Sequence, residues 1–491
     1  MKAYGLYIGG KWMESSSGET FETANPATGE ILGTFPMGAE ADVLKAVEAA
    51  QEAVPSWRSY PPPKRGEILM KAASIMRGRK DELGELVTKE MGKVIAEGRG
   101  DVQEAIDFLE YISGEGRRLV GETTPSELPR KFCMTIRQPI GIVGCITPWN
   151  FPMAVPCWKL GAAFISGNAV VYKPSTLTPL CAATLAEIFE EAGLPHGVLN
   201  VVIGPADTVG RGIVEHPKIR AVSFTGGLAA GRDVYSRASA LMKRVGLELG
   251  GKNPLIILDD ANIDLAIEGV LFGAFGTAGQ RCTATGRLIV HEGVYDEVKE
   301  KLVSSTKALK IGNPSDPSVD VGPMSSEEQE KKVLKYIQIG VEEGARLICG
   351  GKKLSGGEYD KGFYIQPTIF EAEHGMRITK EEIFGPVLPV MRIRDYDEAV
   401  KIANDVEYGL SSSIYTRNIT TAYRAIDELE TGITYVNAPT IGAEVHLPFG
   451  GVKQTGTGGR EAGTTAIEEF TEIKTVFIDY SERLQKAQIE D

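Results

Sequence analysis

The sequence predicts an α/β protein made of a doubly wound sheet domain, a second α/β domain and a small β arm. Three observations carry that prediction. The chain has 491 residues, about three times a typical domain of ~150. Near residue 141 its rhythm changes from helical to an alternation of strand and helix. Two half-apolar strands fit neither domain. At 42% hydrophobic and 24% charged, there is enough apolar material for more than one large core.

Residues 41 to 120 read as helical, because ADVLKAVEAAQEAVPSW and RGEILMKAASIMRGRKDELGELVTKEMG place apolar residues three and four apart. The proline-rich break from Tyr60 to Pro63 separates two of these helices. From 141 the strands GIVGCIT, NAVVYKP, VLNVVIG and IRAVSFTGG alternate with the helical segments PMAVPCWKLGAAFISG, LCAATLAEIFEEAG, DTVGRGIVEHP and RDVYSRASALM. A strand recurs about every 25 to 30 residues, as in a doubly wound parallel sheet. Ligands of such sheets sit at the carboxyl ends of the strands, which singles out the turns after Thr147, Lys173, Gly204 and Thr225. Residues 252 to 450 repeat the alternation less regularly. There LIIL, GRLIVH, FYIQPTIF, PVLPVMRI and ITYVN read as strands, and VYDEVKEKLVSSTKAL and YDEAVKIAND as helices. The two remaining strands are KFCMTIRQ, where Phe132, Met134 and Ile136 alternate with Lys131, Thr135 and Arg137, and KTVFIDY near the end. Such strands pair with each other or with another subunit, so a dimer or tetramer is expected.

Charge and composition exclude several classes. There are 53 basic and 66 acidic side chains, hence 53 − 66 = −13, and a pI near 5.2. With no basic block interleaved with aromatics, nucleic acid is not an expected partner. The start of the chain lacks the apolar core of a signal peptide, and no uncharged apolar run of about 18 residues occurs, so a cytoplasmic protein that meets no membrane is expected. The six cysteines show no C-x-x-C pair and the five histidines no H-x-x-x-H spacing, so neither a disulfide framework nor a metal site is expected.

Five local features could carry chemistry. Cys282 in FGTAGQRCTATGR has polar, glycine-containing flanks that suit an accessible nucleophile, and Arg281 beside it could favour the thiolate. Glu248 in VGLELGGKNP lies between Leu247 and Leu249, facing away from both at a strand end; it is either a general base of raised pKa or a salt-bridged strand-end carboxylate. Asn150 in TPWNFP either donates to a developing oxyanion or caps a helix. Lys173 in VVYKPST and the turn of SFTGGLAAG sit where a dinucleotide would lie, and a helix N-terminus after Gly226 can receive a phosphate. The glycines match neither G-x-G-x-x-G nor a Walker sequence, and tight packing alone would also explain them.

Taken together, in this order and spacing, the five features resemble the aldehyde dehydrogenase superfamily. The resemblance extends over nearly the whole chain through TPWNFP, KPST, FTGG, LELGGKNP, GQRC, EEIFGPV and PFGGVKQTGTGGREAG. It implies a Rossmann-like dinucleotide-binding domain at 1–122 and 141–251, a catalytic domain at 252–450, and an oligomerisation arm at 123–140 and 471–491, in a homotetramer or homodimer. Cys282 would be the nucleophile that forms a thiohemiacetal and then a thioester. Asn150 and the Cys282 backbone N–H would hold the oxyanion, and Glu248 would activate water. Because a branch that passes the acyl group to coenzyme A lacks this glutamate, hydrolysis is expected. Lys159 and Glu461 match positions that connect the base to solvent.

For the cofactor, the resemblance points to Thr147, Pro148, Trp149, Lys173, Ser175, Thr176, Gly204, Arg211, Phe224, Thr225, Gly226, Gly227, Leu249, Glu382 and Phe384. Lys173 would bond the adenosine ribose, and Glu382 and Phe384 would hold the nicotinamide ribose and ring. Gly227 replaces a serine common there, which removes one phosphate hydrogen bond. Thr176 replaces a glutamate that many NAD users carry; without that charge a 2′-phosphate is tolerated, Arg211 adds a candidate contact, and NADP is expected to be preferred, with NAD possible. The substrate pocket would use Trp158, Arg281, Thr283, His446 and Phe449, although Arg281 could equally be a structural ion pair. So polar a pocket suits a small hydroxylated or anionic aldehyde. The first expectation is glyceraldehyde oxidised to glycerate; 2-oxoglutarate semialdehyde, lactaldehyde and glyceraldehyde 3-phosphate are the alternatives. A catalytically silent binding protein on this fold is the rival of another class.

Overall fold

A computed structural model describes residues 4–489. Residues 1–3, within the segment read for a leader, and 490–491, at the end of the expected arm, lie outside the described residues.

After four short strands come four helices: Glu40–Ser59, Pro62–Gly78, Lys80–Met91 and Ile95–Glu115. The second starts on Pro62, whose missing N–H costs nothing at a first helical position. The second and fourth of them pack on the helix Ala154–Ser166, in which every residue except Val155 is buried. A helix apolar all round is one packed on all sides, and Gly167, at φ +93°, ends it in the left-handed region.

This helix lies on the first of two seven-stranded sheets. Its strands run Arg244–Glu248, Ile219–Thr225, Ile142–Ile146, Ala169–Lys173, Leu199–Val201, Leu6–Ile8 and Lys11–Met13. The first five are parallel. The last two are an antiparallel extension that sequence rhythm did not reveal, since three-residue strands carry no readable period. From Ile142–Ile146 the chain steps outward on one side to Ala169–Lys173, then returns to Ile219–Thr225 on the other. At that reversal the turns after Ile146 and Thr225 face each other across a crevice.

The second sheet runs Arg346–Cys349, Thr368–Glu371, Val387–Ile393, Thr285–His291, Asn253–Ile257, Ser411–Tyr415 and Ile433–Val436. Only its first pair is antiparallel. Ser411–Tyr415 is wholly buried although it reads SSSIY, so a search for apolar runs passes over it. Lys131–Pro139 and Thr471–Asp479 pair antiparallel along their full lengths, from Lys131↔Asp479 to Pro139↔Thr471, and Thr123–Pro125 adds a third strand. The two strands that fitted neither domain are thus each other's partners. Among the described residues no helix is long and apolar enough to cross a membrane.

Candidate active site

Cys282 lies beyond the helix Ile263–Phe275, in a loop that a second strand holds in place. Asn253 Nδ2 donates to the Cys282 carbonyl and to the Ala284 carbonyl, both at 2.8 Å, while its Oδ1 accepts from Ser411 N–H at 3.0 Å. On the other side Thr277 and Ala278 take positive φ (both +53°). Glu97 fixes that strained turn by accepting from Thr277 N–H at 2.9 and 3.0 Å.

Two cavities meet at Cys282. One, of about 200 Å³, is lined by Pro148, Trp149, Asn150, Gly226, Glu382 and Phe384 among others and fills the crevice of the first sheet. The second, of about 120 Å³, runs past Phe151, Trp158, Arg281, Thr283, Ala443 and Phe449. Glu248 and Glu461 also line it. A group held in the first cavity and a group held in the second can therefore react on one sulfur.

Asn150 is buried, and its Nδ2 donates to the Gln280 carbonyl at 3.2 Å. An amide nitrogen carries two hydrogens, so one remains for an oxygen at Cys282. The helix-cap alternative does not apply, because the following helix begins at Ala154. Glu248 ends its strand buried, with Oε2 unpartnered and the two flanking leucines also buried. Burial, with the nearby Glu461 and Glu469 charges, pushes its carboxyl well above the ordinary range. Lys159, the one charged residue of the enclosed helix, is ion-paired with Glu461, and its Nζ donates to Ser223 Oγ at 2.8 Å.

The expectation that Arg281 favours the Cys282 thiolate needs correction. The guanidinium turns to Glu97 (Nη2 to Oε1, 2.9 Å) and Thr277 Oγ1 (2.9 Å), forming the structural ion pair. It does not lower the thiol: burial, with Glu382 and Glu248 adding to it, pushes Cys282 up to about 12. Arg281 still lines the second cavity. His446 does not; it is exposed beside Glu444 at 3.6 Å, because the chain dips into the channel at Ile441–Ala443 and again at Phe449, with the intervening loop outside.

The first cavity fits a dinucleotide. Gly227, with open space above it, precedes the uncapped N-terminus of Leu228–Ser239, whose free N–H groups suit a phosphate. Gly226 donates its N–H to the Glu248 carbonyl at 3.1 Å and packs on Phe224. Lys173 is buried with Nζ bonded only weakly to the Pro174 carbonyl (3.2 Å), and burial pulls it down to about 8. Glu382 accepts from Gly251 N–H at 3.0 Å. Phe384, at φ +61°, meets Trp149 edge-on at 5.5 Å. Thr225 and Leu249 line the same cavity. Ser175 Oγ accepts from Leu177 N–H (3.2 Å), next to the half-buried Thr176.

Three other residues expected at the cofactor are used structurally. Thr147 Oγ1 bonds Tyr172 OH at 3.0 Å, and Gly204 lets the Gly38 carbonyl approach. Arg211 is ion-paired with Glu215 at 3.0 Å, which occupies the guanidinium expected at a phosphate.

Several lining residues escaped the sequence reading. Gln329 and Lys332 come from the start of Glu327–Glu342, and Gln329 Nε2 donates to the Phe384 carbonyl at 2.7 Å. Glu104, on Ile95–Glu115, lines the second channel; burial and Asp101 push it up to about 8. An amphipathic period shows that such helices have a polar face, and nothing in it says the face meets a cavity.

A parallel-sheet crevice that opens onto a cysteine at the foot of a second channel defines an oxidoreductase that brings cofactor and substrate together on one sulfur. The family model for the aldehyde dehydrogenase family matches residues 12–476. The chain is 44% identical over 474 residues to alpha-ketoglutaric semialdehyde dehydrogenase of Bacillus subtilis (strain 168), covering 96% of this chain and 97% of that one. It is 43% identical over 477 residues to alpha-ketoglutarate semialdehyde dehydrogenase of Haloferax volcanii, covering 96% and 98%. The crystal structure of an E. coli NADP-dependent enzyme superposes with a TM-score of 0.94 at 39% identity, covering 97% and 98%. This chain belongs to the aldehyde dehydrogenase family and is an NAD(P)-dependent oxidoreductase acting on aldehydes.

Proposed function

We propose that the enzyme oxidises 2-oxoglutarate semialdehyde to 2-oxoglutarate with NADP, through a thioester on Cys282 that water hydrolyses. The names of the two curated relatives move the reading from glyceraldehyde to this alternative. One structural observation carries it: the channel that ends at Cys282 is walled by Arg281 and by Trp158, whose buried Nε1–H has no partner. A buried orphan donor calls for an acceptor, and the distal carboxylate and ketone of this substrate supply them. Glu104, held up to about 8, is neutral at pH 7, so it does not repel a carboxylate.

In the reaction, Glu248 takes the thiol proton as Cys282 attacks the aldehyde carbon. Asn150 and the Cys282 N–H receive the oxyanion. A bound nicotinamide supplies the acceptor for the aldehyde hydrogen. After releasing that proton, Glu248 takes one from the water that attacks the thioester and returns it to sulfur, so that Cys282 leaves as the thiol. NADP is favoured by Thr176, which presents a hydroxyl where a carboxylate would repel a 2′-phosphate, and by Lys173 with donors to spare. Residues 1–122 and 141–251 form the cofactor domain, 252–450 the catalytic domain, and 123–140 with 471–491 the arm that joins subunits in a dimer or tetramer. With six free cysteines, the enzyme works in a reducing cytoplasm.

Steady-state kinetics with 2-oxoglutarate semialdehyde, glyceraldehyde and propanal, each with NADP and NAD, tests this reading. The highest kcat/KM is expected for the first aldehyde with NADP. Trp158→Phe, which removes the unpartnered donor, should raise its KM about threefold to tenfold more than that of propanal. A larger kcat/KM for glyceraldehyde, or equal effects of Trp158→Phe on both, overturns the substrate.

A further inference from the structure

Aldehyde oxidation in water balances as RCHO + NAD(P)⁺ + H₂O → RCOO⁻ + NAD(P)H + 2 H⁺. One proton comes from the Cys282 thiol on attack. Of the two on water, one returns to that sulfur and one departs. The proton taken from the thiol stays on Glu248, which is buried at 4% exposure, while the departing water proton leaves on the carboxylic acid product. The first needs a route to solvent before Glu248 can act again.

We propose that Glu469 is the outer member of that route, passing protons from the Glu248–Glu461–Lys159 cluster into a solvent-filled cleft on the far side of the Gly456–Gly459 loop. The sheet register places it. Ser223 pairs with Gly246, and Thr225 with Glu248. Residues two apart in a strand share a face, so Ser223, Gly246 and Glu248 lie on one face. Ser223 reaches Lys159 at 2.8 Å and Glu461 at 3.3 Å. The Glu469 carboxyl occupies the space above Gly246: a Cβ there would stand 2.5 Å from Glu469 Oε2. A Cβ at Gly459 would collide with Glu469 Oε1. A Cβ at Gly450 would lie 2.6 Å from Glu248 Oε1 and 3.1 Å from the Gly459 carbonyl. Glycines at 246, 450 and 459 thus clear the space that brings the two carboxyls up to either side of one loop.

Glu469 Oε2, like Glu248 Oε2, is buried without a hydrogen-bond partner. A purely structural carboxylate would be paired. Beyond it lies a cavity of about 270 Å³ lined by Arg244, Gly246, Gly459, Arg460, Glu468 and Glu469. Arg244 and Glu468 are exposed, so the cavity opens outward. The charged groups around Glu469 are Glu461, Lys159, Arg244 and Arg460, with Glu468 at the rim. Burial and Glu461 outweigh the cations and push its carboxyl up to about 7, where it can both accept and release a proton. The proton moves as H⁺ alone: Glu469 gains it from the cluster and loses it to water, with no net change.

The test acylates the full-length enzyme with p-nitrophenyl acetate, which loads the same thiol without cofactor, and follows acetate release by acid quench across pH 5.5 to 9. This readout does not depend on which aldehyde is physiological. It rests on Glu248 as the base, and Glu248→Gln is the control: if that variant deacylates normally, the base assignment fails instead. Wild type should show deacylation rising through an ionisation near pH 7. Glu469→Gln should leave the nitrophenolate burst intact, slow deacylation about tenfold, and lose that pH limb, with imidazole restoring the rate. Glu469→Asp, which keeps an acid in a slightly smaller side chain, should keep the limb at an intermediate rate. The proposal is overturned if wild type shows no such limb, if Glu469→Gln matches wild type, or if its loss is neither pH-dependent nor rescued. Should Glu469→Gln fail to fold, a Glu469→Asp profile without the limb overturns it as well.

Discussion

Cys282 is a thiol that its surroundings keep neutral. Burial, Glu382 and Glu248 all act in the same direction, and the cation beside it in sequence is spent on Glu97. Because the pKa is raised, the thiolate is scarce at neutral pH and grows with pH. Alkylation of the free enzyme by iodoacetamide should therefore accelerate about tenfold per pH unit from 7 to 9 without levelling off; a plateau below pH 8 would contradict the burial argument. Glu248→Gln should move two observables in opposite directions. Removing a negative neighbour speeds alkylation of Cys282, while removing the base slows turnover by roughly 10²-fold to 10⁴-fold and lets the acyl-enzyme accumulate. Equal alkylation in that variant would show that Glu248 does not bear on the thiol, and slower alkylation would show that its action as a base outweighs its charge. Sequence context singled out Cys282, Glu248 and Asn150 as candidates, a cysteine without apolar neighbours, a carboxylate between leucines and an amide at a strand end, and the structure places all three on the two cavities that meet at Cys282. It misjudged the effect of Arg281 on the thiol and the place of His446 because side-chain direction depends on partners far along the chain, Glu97 and the path of the 441–449 loop.

The elements around the site act through a few side chains that cross between them. Asn253 is the clearest case, tying its own strand to Ser411 on one side and to two carbonyls of the nucleophile loop on the other. We expect Asn253→Ala to lower kcat by about tenfold to a hundredfold, since a shift of ~1 Å at a nucleophile can cost that much, while the nicotinamide dissociation constant stays within about twofold; an unchanged kcat would remove Asn253 from the positioning of Cys282. Glu90 plays a similar part for the helix Pro179–Ala192. No side-chain cap comes from Thr178, and Glu90 accepts from Leu180 N–H at 2.6 Å and Cys181 N–H at 2.8 Å. The sequence showed the elements that have a period, namely the long amphipathic helices, the apolar parallel strands and the arm strands. It hid the ones that lack one: the three-residue N-terminal strands and the buried serine-rich strand at 411–415. Ladder hydrogen bonds and cross-strand contacts hold those in place, and neither leaves a hydrophobic signature.

At the scale of the molecule, the arm carries the remaining unspent surface. Its sheet order ends on Thr471–Asp479, so among the described residues one edge of a nine-residue strand has no strand beside it. Phe132 and Ile478, register partners on one face, are 43% and 47% exposed, and Ile136 on that face is also exposed. A long open edge beside exposed apolar side chains invites uncontrolled pairing unless something covers it. A second copy of the chain satisfies both needs, with strand pairing along the edge and burial of Phe132 and Ile478. Light scattering on the purified enzyme at micromolar concentration should thus give a dimer or tetramer. Phe132→Asp combined with Ile478→Asp should shift it to monomer, because each aspartate would place an unpaired charge in a buried contact. The first sheet and its crevice lie outside the arm, so the monomeric variant should still bind NADP with a dissociation constant within a few-fold of wild type. A wild-type monomer, or a double variant that assembles normally, would mean that the arm does not join subunits.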